Sequence, residues 1–465
     1  MKSARRDWAD IATLAFGTTT TMWAVGYLTH LPGVSIPSAV VFFLIMAVLF
    51  GGGVFAGRST DRGVWGGLHV GLAVGLLNLL IIGAVIGKEM RGGNLPNPAL
   101  WVVGSIGLSM LLLTLGSALG SLLRRATGSA AGLQIGEVIP VSTTSRSDFN
   151  NPWPARFAAV AAAATLFLIS VGGTVTGYKA GLAVPDWPNS YGYNMFLLPL
   201  SKMTGGIYFE HSHRLFGSLV GLTTVVLAIY LQLRSPRAWL KWVAWLAVLL
   251  VVVQGIMGGL RVTGTFTLST DRSLLSPSIL LAIVHGVFAQ LFLATLVTLL
   301  TALRPAWLNA GAPEAHARAG NDRVLGSAAC VLVLTQSIMG ALYRHLDWGL
   351  HLHLTMAVIV LVVAGAFAIR CWGTYRNPNL ARTGGLLVSF LGIQLALGFG
   401  ALALRLLDDS QSESLHHARV VGTTLHQTFG AVVLATNWAL VVWLLRATRF
   451  ASASVRNAEP TPTAP

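Results

Sequence analysis

Charged residues are scarce in this chain of 465 residues. Asp, Glu, Lys and Arg together make up 10% of the sequence, whereas 54% is hydrophobic and the mean hydropathy is +0.69. Soluble domains carry about 25% charged residues, so the composition excludes an ordinary soluble protein of this length. The sequence is that of a polytopic membrane protein.

Cysteine is nearly absent, and a cleavable leader is not recognisable. Cys330 and Cys371 are the two cysteines, and their spacing excludes a cysteine-based metal site, so we interpret them as packing residues. The first ten residues lead into a full-length span without a convincing cleavage site. We therefore expect a retained first helix and no signal or transit peptide.

Long apolar runs fill most of the sequence. A membrane-spanning helix needs about 20 mostly apolar residues, and the runs predict an all-α fold with 12 transmembrane helices. The predicted spans are residues 10–30, 36–56, 64–87, 99–122, 157–178, 208–232, 238–260, 276–303, 323–343, 350–370, 384–404 and 420–445.

The net charge of +15 comes from 31 Lys and Arg residues against 16 Asp and Glu residues. If the N-terminus is cytoplasmic, most basic residues fall in the cytoplasmic loops and at the two cytoplasmic termini. This positive-inside bias sets the orientation of membrane proteins. The charge therefore requires no polyanionic partner, and we expect no nucleic-acid binding.

A short histidine motif, His-x-x-Phe-small, recurs along the later part of the chain, with Met in place of Phe in one copy. Its four histidines are His213, His285, His353 and His426, separated by 72, 68 and 73 residues. This near-even spacing, with two histidines per unit, indicates a tandem duplication. Each histidine lies in the first half of a helix that enters from the outer side, so all four are predicted toward the outer leaflet.

The motif suits a flat, iron-containing ligand. On a helix, the residue four positions on lies about one turn away on the same face, so each imidazole has a Gly or Ala beside it. Neutral imidazole is an axial ligand of haem iron, and two such helices per repeat could hold one porphyrin. The alternative is that these are structural histidines bonded to backbone carbonyls.

Small residues also recur at the outer ends of the odd-numbered helices of the duplicated region, and a glutamine precedes the last three copies by four positions. Close helix packing and cofactor contact explain these glycines about equally well. The copies are Gly172-Gly173, Gly258-Gly259 after Gln254, Gly340-Ala341 after Gln336, and Gly398-Phe399-Gly400 after Gln394.

The sequence divides into five predicted parts. Residues 1–125 form a four-helix membrane block whose role the sequence does not indicate. Residues 126–156 are a cytoplasmic linker rich in Gly, Ser, Thr and Pro, which predicts that the block is an accessory module. The duplicated region follows as two four-helix halves, 157–304 and 323–446. Residues 447–465 are a cytoplasmic tail.

Taken together, these features resemble the heme A synthase family over about residues 157–446. The resemblance implies a core of eight helices, arranged as two pseudo-twofold related four-helix bundles. It also implies oxidation of a methyl group of heme O to the formyl group of heme A, for aa3-type terminal oxidases, in the bacterial inner membrane. The residues that carry it are Gly172-Gly173, an outer loop with Gly181-Leu182 and Pro185-Asp186-Trp187-Pro188, the motif Glu210-x-x-His213-Arg214, and the three later histidines.

The resemblance also implies which histidines bind iron. His213 and His285 would bracket heme O, the substrate haem, in the first half. His353 and His426 would ligate a resident haem b in the second half. The haem sites would then lie toward the outer side of the membrane, with both termini cytoplasmic.

Glu210 is the only acid in the four motifs, and an acid within a membrane is costly unless it is used or paired. By resemblance it would act with His213 and His285 in catalysis, assisting proton or substrate handling. Arg214 would pair with a haem propionate or with Glu210. The alternative for Arg214 is an interfacial arginine that extends to water.

The implied partners are heme O, heme A, a heme O synthase, a terminal oxidase or its assembly factors, an unidentified electron donor and membrane lipid. Two features depart from the family. Many relatives carry a cysteine pair in the first outer loop, where this sequence has Val184 and Ser190, so no disulfide can form there. Residues 174–179 are also altered, and a paralogue that acts on another haem remains an alternative.

Two other functions compete with the enzyme. A di-haem electron carrier would also use four helix histidines, but only the first half here has an acid and a long Trp-containing loop, whereas a carrier needs similar ligand shells. A transporter would explain the duplication, yet the broken helices and central charges expected of one are not evident in the sequence.

Overall fold

A computed structural model describes residues 7–85, 98–131, 151–263, 278–407 and 412–450. Most of the predicted linker, residues 132–150, and the predicted tail beyond residue 450 lie outside this range. The described residues contain twelve long helices and one short helix. They are α1 (Ala9–Thr29), α2 (Ser38–Ser59), α3 (Gly63–Val85), α4 (Pro98–Ala131), α5 (Trp153–Gly177), α6 (Gly205–Arg234), α7 (Ala238–Thr263), α8 (Ile279–Ala302), the short α9 (Pro305–Leu308), α10 (Ala319–Leu346), α11 (Leu350–Thr374), α12 (Pro378–Leu407) and α13 (Glu413–Ala447).

The prediction of an all-α polytopic membrane protein is confirmed. Among the described residues, eleven helices are long and apolar enough to cross a membrane. The only regular strands in the same residues are β1 (Glu314–His316) and β2 (Thr448–Phe450), which form a short parallel ladder. Each predicted span coincides with a long helix, although several helices continue a turn or more beyond the predicted limits.

Helix α1 accounts for the difference between twelve predicted spans and eleven. It contains six threonines and Asp10, which lower its mean hydropathy. More than half of its residues are nevertheless buried in protein, and the hydroxyl of Thr13 donates to the carbonyl of Ala9 at 2.6 Å. The polar groups of α1 therefore face neighbouring helices or their own backbone instead of lipid.

The chain divides into two compact units, residues 1–282 and 283–465. In the first unit, α1 packs against α2 and α3 of the N-terminal block, and also against α5 and α6 of the duplicated region. Helix α1 therefore belongs to the packing of both parts, which differs from the accessory module that the linker predicts. The predicted domain limits stay a prediction.

Glycines bring α4 close to its neighbours α2 and α3. A Cβ atom on Gly120 of α4 would collide with the carbonyl oxygen of Val54 on α2, and one on Gly71 of α3 would lie 2.5 Å from the Cα of Met110 on α4. In lipid, helix association depends on such close packing, because lipid tails are as apolar as the side chains. The small residues thus hold the N-terminal helices together.

In the second unit, α10, α11, α12 and α13 form a closed ring in which each helix packs against the next and α13 packs against α10. Its core includes Phe367, Leu387 and Trp443. The turn between α10 and α11 contains Gly349 at φ 86°, a left-handed conformation that favours glycine. The first predicted half is divided between the two units within α8, so the pseudo-twofold relation of the halves stays a prediction.

We predict that Gly120→Val destabilises the first unit by about 1–3 kcal/mol, the cost of overpacking a close contact. Gly107 lies on the same helix, and a Cβ there would meet no atom within 4 Å. Gly107→Val is therefore the matched control. Thermal unfolding of the detergent-solubilised protein measures both, and equal midpoints for the two variants would show that the glycine contact is unimportant.

Candidate functional site

Three of the four motif histidines lie against a glycine of the neighbouring helix in the hairpin. In each case the Cε1 edge of the imidazole occupies the place where a side-chain Cβ would point. The pairs, with the distance from an added glycine Cβ to Cε1, are Gly172 with His213 at 3.0 Å, Gly340 with His353 at 3.0 Å and Gly398 with His426 at 2.9 Å. The recurring glycines therefore make room for the imidazole rings, which answers why they recur. The fourth pair, Gly258 with His285, falls in two different units and stays a prediction.

The glutamines four residues before two of these glycines also contact the histidines. The side-chain nitrogen Nε2 of Gln336 lies 3.4 Å from Nε2 of His353, and that of Gln394 donates to the carbonyl of His426 at 3.2 Å. In an α-helix, the carbonyl of residue i points along the axis toward residue i+4. Because a glycine at i+4 has no side chain, the histidine ring can reach both the side chain and the backbone carbonyl of the glutamine.

The backbone carbonyls of Gln336 and Gln394 interact with the rings of His353 and His426, respectively. Neither Nδ1 atom reaches hydrogen-bond geometry, so each ring keeps a buried nitrogen without a bond. Buried polar atoms are normally satisfied, and a ligating imidazole usually directs its other nitrogen toward a carbonyl. The arrangement fits histidines that are oriented for a ligand.

The structure brings His353 and His426 together inside the second unit. Their ring centroids lie 6.2 Å apart with the planes at 86°, so one metal ion could bind a nitrogen from each ring. Within the described ranges, no group of three metal-ligating side chains occurs. Two imidazoles without a third protein ligand suit an iron whose remaining ligands come from a porphyrin. The residues present therefore fit a haem.

Three arginines lie near this histidine pair, at the ends of α10 and α12 and near the start of α13. Arg344 donates to the side-chain oxygen of Gln427, beside His426, and it interacts with the positive charges of Arg405 and Arg419. The sequence reasoning missed this cluster, because a single arginine near a helix end is typical of the membrane interface. Only the fold brings the three together.

The arginine cluster, Arg344, Arg405 and Arg419, brings three positive charges close together. Arg405 pairs with Asp347, whose side chain is 78% exposed. Neighbouring like charges in a partly buried place repel each other unless an anion offsets them, and arginine binds carboxylates in a bidentate manner. The cluster thus suits a ligand with carboxylate groups, such as the propionates of a haem.

In the first unit, Glu210 and Arg214 form a buried ion pair on α6. Their oxygen and nitrogen lie 2.7 Å apart, and the side chains are 5% and 9% exposed. Glu210 also accepts from the N–H of Val184 at 2.8 Å, and Arg214 donates to the carbonyls of Val184, Asp186 and Asn189 at 2.7–2.9 Å. The pair therefore fixes the loop between α5 and α6 to α6.

The outer loop is fixed at further points. The carboxylate of Asp186 accepts from the N–H groups of Tyr191 and Gly192, both at 2.7 Å. The ring of Trp187 lies against Gly259 of α7, where an added Cβ would collide with it. The loop thus packs on α6 and α7.

Two more residues of this region were missed by sequence reasoning. His211 is fully buried, with Nδ1 3.2 Å from the hydroxyl of Ser190 and Nε2 without a hydrogen bond. Arg261 of α7 lies against Gly181, where an added Cβ would be 2.6 Å from its guanidinium nitrogen, and it interacts electrostatically with Glu210. The proximity of His211 to the Glu210 motif was the available signal, whereas nothing local marks Arg261.

The structure does not define whether His213 and His285 lie on either side of one haem, as predicted. His213 lies in the first unit on α6 and His285 lies in the second on α8. Their roles as ligands of a substrate haem therefore stay a prediction.

Comparison with known proteins gives one match. Residues 155–353 match the family described as cytochrome oxidase assembly protein, COX15-CtaA. This range begins in α5 and ends at His353, so it includes Glu210, His213 and His285. No curated protein and no solved structure matches the chain.

We predict that Arg214→Gln loosens the outer loop, because the glutamine cannot replace the three carbonyl contacts and the ion pair. Lys179 and Lys202 flank this loop, so tryptic cleavage at these two sites should rise severalfold. Arg234→Gln, at the other end of the same helix, is the control and should leave cleavage unchanged. Equal cleavage of the wild-type and Arg214→Gln proteins would show that the ion pair of Glu210 and Arg214, the clamp of this loop, does not hold the loop to α6.

Proposed function

We propose that the protein is a heme A synthase, from the premise that residues 155–353 match the cytochrome oxidase assembly protein family. The proposed reaction oxidises a methyl group of heme O to the formyl group of heme A. The family match, over a range that contains Glu210, His213, His285 and His353, is the observation that carries the proposal. The sequence resemblance to heme A synthases points to the same reaction.

In the second half, His353 and His426 would hold a resident haem b, which supplies electron transfer when bound. Their mutual distance and the absence of a third metal-ligating side chain nearby among the described residues support this assignment. The cluster of Arg344, Arg405 and Arg419 would bind the two propionates, because it brings three guanidinium groups together near His426 and arginine binds carboxylates in a bidentate manner. His426 lies beyond the matched range, so its role rests on geometry and on the sequence resemblance.

In the first half, His213 and His285 would bracket heme O. The loop that Glu210 and Arg214 fix to α6 would limit the access of water to the reacting methyl group. Oxidation of that group through an alcohol to an aldehyde releases protons, and Glu210 would help to manage them as a positioned acid or base. Its pairing with Arg214 gives it a structural task as well, and the two tasks need separate tests.

A di-haem electron carrier is the second candidate function. The two regions differ from each other, as an enzyme with one catalytic half requires. In the first unit, Glu210 and Arg214 bind each other and the loop, whereas the second unit carries an arginine cluster. A carrier gains nothing from this asymmetry.

Eleven helices of the described residues are long and apolar enough to cross a membrane. We propose that they lie in the bacterial inner membrane, with both termini cytoplasmic and the haem sites toward the outer side.

The same proposal implies particular partners. A heme O synthase would deliver the substrate, and a terminal oxidase or its assembly factors would receive heme A. Oxidation of a methyl group to a formyl group removes electrons and therefore needs an oxidant. With dioxygen as that oxidant, the unidentified electron donor would supply the further electrons that reduce dioxygen to water.

We predict that His353→Ala and His426→Ala each remove most of the bound haem b, because a haem held by two axial imidazoles loses half of its protein ligation. The measurement is pyridine-hemochrome analysis with the visible spectrum of the purified protein. His417→Ala is the control, since this histidine lies on the same helix as His426 but pairs with Glu413 near the helix start. Unchanged haem content in both variants would exclude the assignment.

We predict that Glu210→Gln abolishes most heme A formation while leaving the loop protected from trypsin. The amide keeps the size of the side chain and one acceptor oxygen but cannot titrate. Chromatography of haems extracted from cells that supply heme O measures the product, and heme O or the alcohol intermediate should accumulate. If Glu210→Gln and Arg214→Gln show equal loss of heme A and equal loosening of the loop, Glu210 acts only as a clamp. Wild-type heme A formation by Glu210→Gln would exclude both roles.

A further inference from the structure

The outer end of α1 is bonded to both helices that carry the first candidate site. Tyr27 stacks on Tyr208 of α6 with ring centroids 5.5 Å apart, and its hydroxyl shares a 2.7 Å hydrogen bond with Thr174 of α5. The hydroxyl of Tyr208 donates to the backbone carbonyl of Tyr27 at 2.6 Å. Thr174 follows Gly172 by two residues, and Tyr208 precedes Glu210 by two. Helix α1 therefore contacts α5 and α6 within one turn of the site residues.

The phenylalanine of the first histidine motif also packs on α1. Phe216 lies edge-on to Trp23 and to Tyr27, with centroids 5.8 and 6.0 Å away, and it contacts Phe167 of α5 at 5.0 Å. Such edge-on aromatic pairs stabilise packing beyond the burial of their surface. Phe216 follows His213 by three residues on one face of α6, so its position and that of the histidine are linked by the helix.

The cytoplasmic end of α1 is fastened as well. Trp8 lies edge-on to Tyr230 near the end of α6, with centroids 5.0 Å apart, and the Tyr230 hydroxyl donates to Asp7 at 3.0 Å. The hydroxyl of Thr13 donates to the carbonyl of Trp153 at the start of α5, at 3.3 Å. Contacts at both ends and in the middle fix the height and rotation of α6 relative to α1.

We propose that α1 is a positioning helix of the first haem half. By holding α5 and α6 at both ends, it sets the contact between Gly172 and His213 and the place of the clamp formed by Glu210 and Arg214. This assigns a task to the N-terminal block, for which the sequence indicated none. The inference rests on the proposed function only in that the positioned site would bind the substrate haem.

The test combines one readout that needs no haem with one that does. Tyr27→Ala removes the stacking and the bond to Thr174 but leaves the backbone carbonyl that accepts from Tyr208. Tyr27→Phe removes the hydroxyl alone and serves as the conservative variant. Phe43→Ala is the matched control, because Phe43 belongs to the same block but is 69% exposed.

Hydrogen exchange of the amides of residues 205–220, measured by mass spectrometry, reports the order of α6. We expect the exchange rate of these amides to rise about tenfold in Tyr27→Ala and to stay unchanged in Phe43→Ala. In Tyr27→Phe it should rise about fivefold, as for the loss of one hydrogen bond. In heme A formation, kcat should fall in Tyr27→Ala and recover largely in Tyr27→Phe, whereas KM should change little. The haem b content of the second half should stay at the wild-type value.

Two results would overturn the inference. One is exchange in Tyr27→Ala equal to that of the Phe43→Ala control. The other is increased exchange in Tyr27→Ala with an unchanged kcat of that variant, which would reduce α1 to a general stabilising helix. If the wild-type protein forms no heme A, the proposed function fails, and the exchange readout still decides whether α1 orders α6.

Discussion

The approach of an imidazole edge to a glycine on the neighbouring helix is the constraint on which both candidate sites depend. An alanine at Gly340 or Gly398 would place a methyl group about 3 Å from Cε1 of His353 or His426. Interiors tolerate such overlap poorly, because packing is already close to crystalline. The contact with the glycine thus fixes the position of each imidazole ring along the neighbouring helix. A duplicated glycine and histidine pair therefore reproduces the position of the ring without any other residue in common.

Electrostatics distinguish the two regions that this shared contact builds. In the first unit, the buried charges of Glu210 and Arg214 bind each other and the loop, so the protein itself satisfies them. In the second unit, Arg344 lies beside Arg405 and Arg419, and Arg405 pairs with the exposed Asp347. Arginine binds carboxylates in a bidentate manner, so a group of three arginines suits an anionic ligand.

The sequence predicted the helices and the pairing of His353 with His426, because both follow from periodicity and repetition. It did not predict the packing of α1, since hydropathy counts threonine as polar whether its hydroxyl meets water or bonds to its own helix. It did not predict that Phe216 packs on Trp23 and Tyr27, because the pattern cannot tell which neighbour a helix face meets. The bond from Val184 to Glu210 and the arginine cluster join segments distant in sequence, which no local signal reports.

The placement of α1 bears on how a duplicated protein acquires two different sites. Duplication starts from equal halves, and in the proposed function only one half modifies its haem, so that half needs a distinct environment. Substitutions such as Glu210 supply different chemistry, but their positions depend on the helices that carry them. Helix α1 contacts α5 and α6 along their length, so it adds rigidity to that part of the first unit without altering a single motif residue. Its threonines are the consequence, because a helix buried among protein neighbours has no need to be apolar toward lipid. A polar segment in an apolar chain thus indicates protein contact, and here that contact reaches the elements that hold His213.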